Sequence, residues 1–451
     1  MTETATRIIP DGFCTGCGAC VVLAPEAFRM AWSSVGALTA RVCNAGAVPV
    51  AVDRVCPFAS GGPDETDIGH KLYGGKRDPV LGRYEACYTG YVMEGGYRRQ
   101  GSSGGVGKWV LAELLRTGEV DYVLQVRPGR APGPLFEFAR FESADTVIQG
   151  SRSAYYPVSL AGALLAIKET PGRYAVTTLP CFSKALRRLA ERDPIIKERI
   201  RFVIATVCGH LKTTAYAELL AWQIGVPPND LQRIEFREKI PGRRANEKGV
   251  VAIDEKGARP PRSSKELFGG NWGWNFFKYK GCDYCDDVMA ETADIVVGDA
   301  WLPTLVEDSG GNNVVVIRDP IIARIVAGAV RERRLALESC PPETIVRSQR
   351  GGVRHKREGL ALRLHDDASA GHWAPKKRVD ADARMPEKRK RIYRTRVEIR
   401  ERCHTAFRQA VESRDLEKFK IAMKPLVLQL QRRNIIAEFG GMFRRVFRWV
   451  L

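Results

Sequence analysis

Three closely spaced cysteines constrain this chain more than any other feature of its sequence. Cys14, Cys17 and Cys20 follow one another at intervals of three positions in the segment CTGCGAC. In bacterial ferredoxins the run is C-x2-C-x2-C-x3-C-P, and its fourth cysteine binds the second of two clusters. Here Ala24 stands at that fourth position, before Pro25. The segment therefore predicts a ferredoxin-like domain that is reduced to a single four-iron cluster.

A fourth ligand for this cluster is expected further along the chain. Cys56 precedes Pro57, and 35 residues separate it from Cys20. The sequence thus predicts a first cysteine set, which holds one 4Fe-4S cluster and consists of Cys14, Cys17, Cys20 and Cys56. Cys43 is an alternative fourth ligand, although no proline follows it. A structural zinc site made from the same four thiolates is a second alternative.

A second group of cysteines is expected at the edge of a β-sheet. Residues 173–181 and 201–208 are apolar enough for buried strands, and residues 183–192 between them have helical periodicity. Such a βαβ unit has parallel strands, and ligands bind at the carboxyl edge of open α/β sheets. Cys181 and Cys208 would end these strands, and the C-x2-C pair Cys282 and Cys285 could fold over them. A cysteine that ends a strand can equally be an ordinary core residue.

Four stretches of the sequence carry a resemblance to a known family. In chain order they are SSGGVGKWVLAELLRTGEVDYVL, SRSAYYPV, TLPCFSKAL and GCDYCDDVMAETADIVVGDAW. Together they resemble the coenzyme F-420 hydrogenase/dehydrogenase beta-subunit family, from about Ile9 to Leu364. That family includes the flavin subunits of deazaflavin-reducing enzymes and ferredoxin-dependent reductases of chlorophyll precursors.

The resemblance implies two cofactors side by side, an FAD and a 4Fe-4S cluster. The implied ligands of that cluster form a second cysteine set, Cys181, Cys208, Cys282 and Cys285. Phe182 departs from the family, which usually has Gln there, so a polar contact near the cluster or flavin is in doubt. Cys87, Cys340 and Cys403 are expected to be ordinary small residues.

A glycine- and serine-rich loop that opens into a helix, at 101–118, is the expected flavin-binding segment. Glycines allow close backbone approach, and a helix N-terminus favours a phosphate. A turn without a ligand is the alternative, as an ordinary surface position is for each single residue. The resemblance places the loop in the flavin-binding region, and the expected flavin contacts are Ser102, Ser103, Gly104, Gly105, Arg152, Ser153, Tyr155, Asn312 and Asn313.

Positive charge is concentrated near the end of the chain. Residues 376–451 contain 22 Lys and Arg against 9 Asp and Glu, and so carry most of the net charge of +19. Phe443 to Val450 predict a basic amphipathic helix suited to an anionic membrane surface, although a helix packed on the body or on a partner subunit is an equal alternative. The rest of the chain is expected to keep its cofactors when it ends near Ala374. We find no recognised nucleic-acid-binding module.

These observations predict an α/β protein, α+β overall, whose central flavin domain has a mixed or parallel sheet. The expected segments are a ferredoxin-like domain (1–75), two parts of a flavin domain (76–170 and 171–370) and a basic helical tail (376–451). The start of the chain lacks a secretion signal, and twelve cysteines suit a reducing cytoplasm. The tail could add contact with the inner face of the membrane.

The predicted function is that of an iron–sulfur flavoprotein oxidoreductase. Electrons would pass between a ferredoxin-type donor, two 4Fe-4S clusters and FAD, which exchanges them with a small organic substrate. One alternative is an electron-transfer subunit that serves a separate catalytic partner. Another is a non-enzymatic scaffold with structural zinc sites and a basic docking tail.

Overall fold

The computed structural model describes residues 2–130 and 132–446, with side chains as far as residue 431. The strands are β1 (Phe28–Trp32), β2 (Leu38–Val42), β3 (Lys76–Asp78), β4 (Gly82–Tyr84), β5 (Ala86–Val92), β6 (Tyr122–Pro128), β7 (Phe136–Phe141), β8 (Tyr174–Thr178), β9 (Ile200–Thr206), β10 (Arg233–Glu238), β11 (Gly249–Asp254), β12 (Gly257–Ala258), β13 (Arg262–Ser263), β14 (Ile295–Asp299), β15 (Asn313–Ile317) and β16 (Leu335–Ser339).

The α-helices of the described residues alternate with these strands. They are α1 (Ala19–Leu23), α2 (Val52–Val55), α3 (Glu65–Leu72), α4 (Tyr97–Gln100), α5 (Val106–Arg116), α6 (Ala161–Glu169), α7 (Pro180–Ala190), α8 (Pro194–Arg199), α9 (Thr214–Gln223), α10 (Pro320–Arg331), α11 (Pro342–Ser348), α12 (Arg350–Lys356), α13 (Glu358–Ser369), α14 (Glu387–Glu412) and α15 (Leu416–Val446). No helix among the described residues is both long and apolar enough to cross a bilayer.

A mixed eight-stranded sheet forms the centre of the molecule, in the order β16-β5-β15-β14-β9-β8-β6-β7. The strands β14, β9, β8 and β6 are parallel neighbours, and antiparallel pairs flank them on both sides. Continuous apolar runs such as VVVI in β15 are buried on both faces. The mixed sheet confirms the expected α/β class.

The predicted βαβ unit is present as β8, α7 and β9, whose strands are parallel. One detail differs from the prediction. The strand β8 ends at Thr178, so Cys181 lies in the first turn of α7 rather than at a strand end. Pro180 occupies the start of this helix because its fixed backbone angle suits the first helical position and it needs no hydrogen-bond acceptor there.

The first 75 residues form a β1–β2 hairpin and the short helices α1, α2 and α3. This N-terminal module shares a hydrophobic core with one face of the large sheet, where Val21 and Phe28 belong to the same buried cluster as Val176 and Leu186. The cysteine-rich start of the chain is therefore built onto the sheet domain.

The helices α14 and α15 correct the expectation of a separable tail. Phe407 and Phe419 pack against Phe277 with ring centroids 5.3 and 5.7 Å apart, deep in a second buried cluster. Pro425 lies inside α15. The segment from Phe443 to Val450, on which the membrane prediction rests, is outside the residues whose side chains are described.

Candidate functional site

The first cysteine set lies in a tight loop of the N-terminal module. Gly16 and Gly18 have φ angles of +78° and +83°, and a Cβ at Gly16 would lie 2.2 Å from a backbone oxygen of the hairpin. Only glycine fits such a position, so the loop can turn sharply around the cysteines. Cys56 joins the loop from the C-terminal end of α2.

The structure brings the four thiols of this set together. Burial raises the pKa of Cys14 to about 11. Burial also raises the pKa of Cys17, Cys20 and Cys56, and at Cys17 the other three thiols contribute in the same direction. The backbone N–H of Ala40 donates to Cys14 Sγ over 3.4 Å. Burial thus disfavours the thiolate form of these cysteines, which a bound metal would stabilise.

The second cysteine set is assembled from three distant parts of the chain. Cys181 lies at the start of α7, Cys208 follows β9, and Cys282 and Cys285 lie in the loop before β14. Burial raises the pKa of Cys181, and the other three members of the set raise it further. Burial also raises the pKa of Cys208 to about 11 and that of Cys282 to about 12. All four predicted members are therefore within electrostatic reach of one another.

Two hydrogen bonds are donated to sulfur atoms of the second set, while Cys285 Sγ itself donates to the carbonyl oxygen of Asp287 over 3.3 Å. The backbone N–H of Leu211 donates to Cys282 Sγ over 3.2 Å. The Lys356 ammonium donates to Cys285 Sγ, also over 3.2 Å. Within the described residues, no three His, Cys, Asp or Glu side chains are arranged to hold a single metal ion.

The two cysteine sets meet through the backbone around Gly281. A Cβ on Gly281 would lie 2.2 Å from the carbonyl oxygen of Phe13, the residue before Cys14. Tyr279 lies beside the same contact. Burial raises its pKa, and the nearby thiols of Cys14 and Cys282 raise it further. Its hydroxyl accepts a hydrogen bond from the backbone N–H of Leu38 in the hairpin.

A cavity of about 300 Å³ borders the second cysteine set at Cys208. Seven of the nine predicted flavin contacts line it. They are Ser102, Ser103, Gly105, Arg152, Ser153, Tyr155 and Asn313. Gly104 and Asn312 are not among the lining residues, and the backbone oxygen of Asn312 accepts a hydrogen bond from the Ser103 hydroxyl. Phe182 is buried and lines the cavity in place of the polar residue usual in the family.

The cavity wall contains buried polar atoms that bind no other described atom. They are Ser151 Oγ, Thr178 Oγ1 and His210 Nε2, and within the described part of the chain they lack a hydrogen-bond partner. Buried polar groups are normally paired, so this cluster indicates a site for a ligand or water with several polar edges. These three residues were not among the predicted flavin contacts, because no local pattern distinguishes a single Ser, Thr or His as a cavity residue.

Aromatic and cationic groups form the far end of the same cavity. The Trp272 ring stacks on His210 with centroids 4.2 Å apart and lies 4.5 Å from the Tyr155 ring. Lys212 is almost fully buried above Trp272, and burial lowers its pKa to about 7. No spacing pattern in the sequence connects Trp272 with His210, which is why both escaped prediction.

Two lysines fix the glycine-rich loop in place. Lys108 donates to the carbonyl oxygens of Gln100, Ile148 and Gly150. Lys239 donates to the carbonyl oxygens of Arg98, Ser103 and Gly310. Burial lowers the pKa of Lys108 to about 8 and that of Lys239 to about 7. Each ammonium thus links three segments of the chain and holds the glycine-rich loop in place.

A larger cavity of about 660 Å³ lies against Asp283 and Tyr284, between the start of the chain and α14. Its lining is strongly charged, but the charges neutralise one another in pairs such as Arg394 with Asp366 and Arg400 with Asp283. It does not border the glycine-rich loop. We therefore take the smaller cavity beside Cys208 as the candidate functional site.

Two family models match the sequence. Residues 87–165 match the N-terminal domain of the coenzyme F420 hydrogenase/dehydrogenase beta subunit, and residues 172–343 match its C-terminal domain. No curated protein matches the chain. The solved structure described as "Xenon derivatization of the F420-reducing [NiFe] hydrogenase complex from Methanosarcina barkeri" aligns with 64% of this chain and 96% of its own chain, at 15% identity and a TM-score of 0.48.

Proposed function

Because the chain belongs to the coenzyme F420 hydrogenase/dehydrogenase beta-subunit family, we propose that it is an iron–sulfur flavoprotein oxidoreductase with two 4Fe-4S clusters and one FAD. The observation that carries this proposal is the position of Cys208. It belongs to the second cysteine set and also lines the cavity beside the glycine-rich loop. A cluster held there would border directly on a ligand in the cavity.

The residues of the cavity suit FAD. The Gly101–Gly105 backbone and the N-terminus of α5 can approach a phosphate closely, because glycines leave room and a helix N-terminus favours an anion. Ser151, Thr178 and His210 offer polar atoms to a ring edge, and the Trp272 and Tyr155 rings, with centroids 4.5 Å apart, line the same cavity. FAD would accept single electrons from a cluster and deliver two to a substrate.

The first cysteine set would serve as the entry point for a ferredoxin-type donor. It lies in the N-terminal module, in contact with the second set around Gly281. The proposed order is therefore donor, first cluster, second cluster, FAD and a small organic substrate. The protein's own residues would hold these groups next to one another.

Cofactor analysis of anaerobically purified protein tests the proposal. We expect about eight iron and eight sulfide per chain, together with one FAD. Stoichiometric zinc without visible absorption would instead favour the structural scaffold. Turnover of a candidate substrate with a chemical reductant would separate an enzyme from a subunit that only passes electrons to a catalytic partner.

A matched pair of glycine variants tests the flavin site. Gly105 precedes α5 with φ of +86°, and a Cβ there would lie 2.6 Å from the backbone of Tyr97. We expect Gly105→Ala to lower FAD occupancy markedly. Gly118 follows the same helix with φ of +68° but has open space around it, so Gly118→Ala should keep its FAD. Equal FAD content in both variants would contradict the proposed position of the flavin.

A further inference from the structure

Lys356 is a buried cation that contacts the second cysteine set directly. It is the last residue of α12, and only 2% of it is exposed. Its ammonium donates to the carbonyl oxygen of Asp287 over 2.6 Å and to Cys285 Sγ over 3.2 Å. The carbonyl contact fixes the ammonium in position, so the contact with sulfur does not depend on a mobile side chain. Lys356 also lies beyond residue 343, where the match to the family model ends.

The first cysteine set has no equivalent contact among the described residues. The hydrogen bond to Cys14 Sγ comes from the neutral backbone N–H of Ala40. The buried guanidinium of Arg188 donates to the backbone oxygens of Cys56 and Ala59 and not to a sulfur atom. The two sets therefore differ in whether a full positive charge is bonded to a ligand sulfur.

This difference has a direct electrostatic consequence for a bound cluster. A reduced 4Fe-4S cluster carries one more negative charge than its oxidised form, and that charge is spread over iron and sulfur. A cation bonded to a ligand sulfur stabilises the reduced form more than the oxidised form, particularly in a buried site of low dielectric constant. Hydrogen bonds to ligand sulfurs and net charge are recognised determinants of cluster potentials.

We propose that Lys356 is a positioning residue for electron flow, which raises the reduction potential of the second cluster by its bond to Cys285. This inference rests on the proposed function. The step it favours is the transfer of one electron from the reduced first cluster to the oxidised second cluster. No bond is made or broken, Lys356 keeps its proton, and the electron originally comes from a ferredoxin-type donor.

The test is a redox titration of the holoprotein followed by electron paramagnetic resonance. A Cys14→Ser background removes the first cluster, so the remaining signal belongs to the second. We expect Lys356→Met to shift the potential of the second cluster to more negative values. Lys356→Arg, which retains the charge, should restore most of the potential, and Lys356→Gln should lie between them. In a chain that retains both cysteine sets, Lys356→Met should leave the potential of the first cluster unchanged.

The possible outcomes separate this inference from the proposed function. Absence of iron from the parent protein overturns the proposed function itself. Full iron content with an unchanged second potential in Lys356→Met overturns only the role of Lys356. If Lys356→Met loses the second cluster, the potential of that cluster is compared between Lys356→Gln and Lys356→Arg instead. Loss of the cluster from those variants as well would show a purely structural role and would overturn the inference.

Discussion

The two cysteine sets each bring four thiols together, but they do so with different parts of the chain. In the first set, three of four cysteines come from seven consecutive residues, and glycines with positive φ let the chain turn around them. In the second set, the cysteines come from α7, the end of β9 and a loop more than 70 residues later. The first set depends mainly on local backbone geometry. The second depends on the whole sheet and on side chains from the C-terminal helices.

The surroundings of the second set show this dependence most clearly at Asp283, between its two paired cysteines. The Asp283 carboxylate is fully buried and contacts Lys278 Nζ at 2.6 Å and Arg400 Nε at 2.9 Å. Arg400 belongs to α14, a helix that the sequence assigned to a separate tail. The cysteine loop is therefore fastened by a helix that the family models do not cover.

Removal of the C-terminal helices should have the largest effect on folding and cofactor content, because the second cysteine set depends on these helices. A chain that ends at Ala374 lacks Phe407, Phe419 and Arg400, so the cluster around Phe277 and the charge of Asp283 would be exposed. Each buried Phe is worth about 3–5 kcal/mol, against a total stability of about 5–15 kcal/mol. We expect this chain to be insoluble or to lose its iron and FAD.

A chain that ends at residue 431 is the control, because it retains every side-chain contact described for α14 and α15. It should fold and keep its cofactors. Vesicle co-sedimentation at low salt then tests the membrane prediction for Phe443 to Val450: the full chain should bind anionic vesicles and the shortened chain should not. A soluble, cofactor-loaded chain ending at Ala374 would show that the tail is separable after all.

Local patterns in the sequence were enough to predict the central βαβ unit and to propose the first cysteine set, whereas the second set was proposed from the family resemblance. These predictions used features of neighbouring residues: apolar runs that alternate with a helical pattern, the position of Pro180 and the C-x2-C spacing. The contact of Lys356 with Cys285, the stack of His210 on Trp272 and the packing of Phe419 on Phe277 join residues at least 60 positions apart. Nothing in their local sequence encodes such a meeting, because it follows from the tertiary packing of amphipathic elements.

Single cysteine substitutions should separate the two sets next. We expect Cys14→Ser to remove about four of eight iron atoms and to leave bound FAD and the fold unchanged, with ferredoxin no longer reducing the flavin efficiently. Cys282→Ser should also remove about four iron atoms, but with lower FAD content and lower thermal stability. Iron, sulfide and flavin assays with a thermal melt measure all of these effects.

The same assays decide which cysteine completes the first set. Cys43 is exposed and bonds only to the backbone oxygen of Arg41, whereas Cys56 is buried with the other three thiols. Cys43→Ser should therefore retain all eight iron atoms, and Cys56→Ser should resemble Cys14→Ser. Loss of iron from Cys43→Ser alone would assign the fourth position to Cys43.

The buried charge beside the second set should give a smaller but measurable effect. Asp283→Asn leaves Lys278 and Arg400 without their common partner, and breaking a buried ion pair costs about 3–5 kcal/mol. Asp121→Asn is the control, since Asp121 pairs with Arg173 at the surface, where ion pairs contribute about 0–1 kcal/mol. Denaturant unfolding of both variants measures the difference, and equal midpoints would contradict a structural role for the Asp283 pairs.

The contact between the two sets provides the most subtle test. Gly281→Ala places a methyl group 2.2 Å from Phe13 O and 3.1 Å from Thr15 Cγ2, so the loop that holds Cys14 must move away. This variant changes no cysteine of either set, and we expect full iron and FAD content. Electron transfer between centres slows as their separation grows, so flavin reduction by a ferredoxin-type donor should become slower. Direct reduction of the flavin by dithionite serves as the internal reference, and Gly162→Ala is the matched control, since nothing lies within 4 Å of the added methyl group. A wild-type rate in a fully loaded Gly281→Ala protein would mean that electrons do not pass between the sets at this contact.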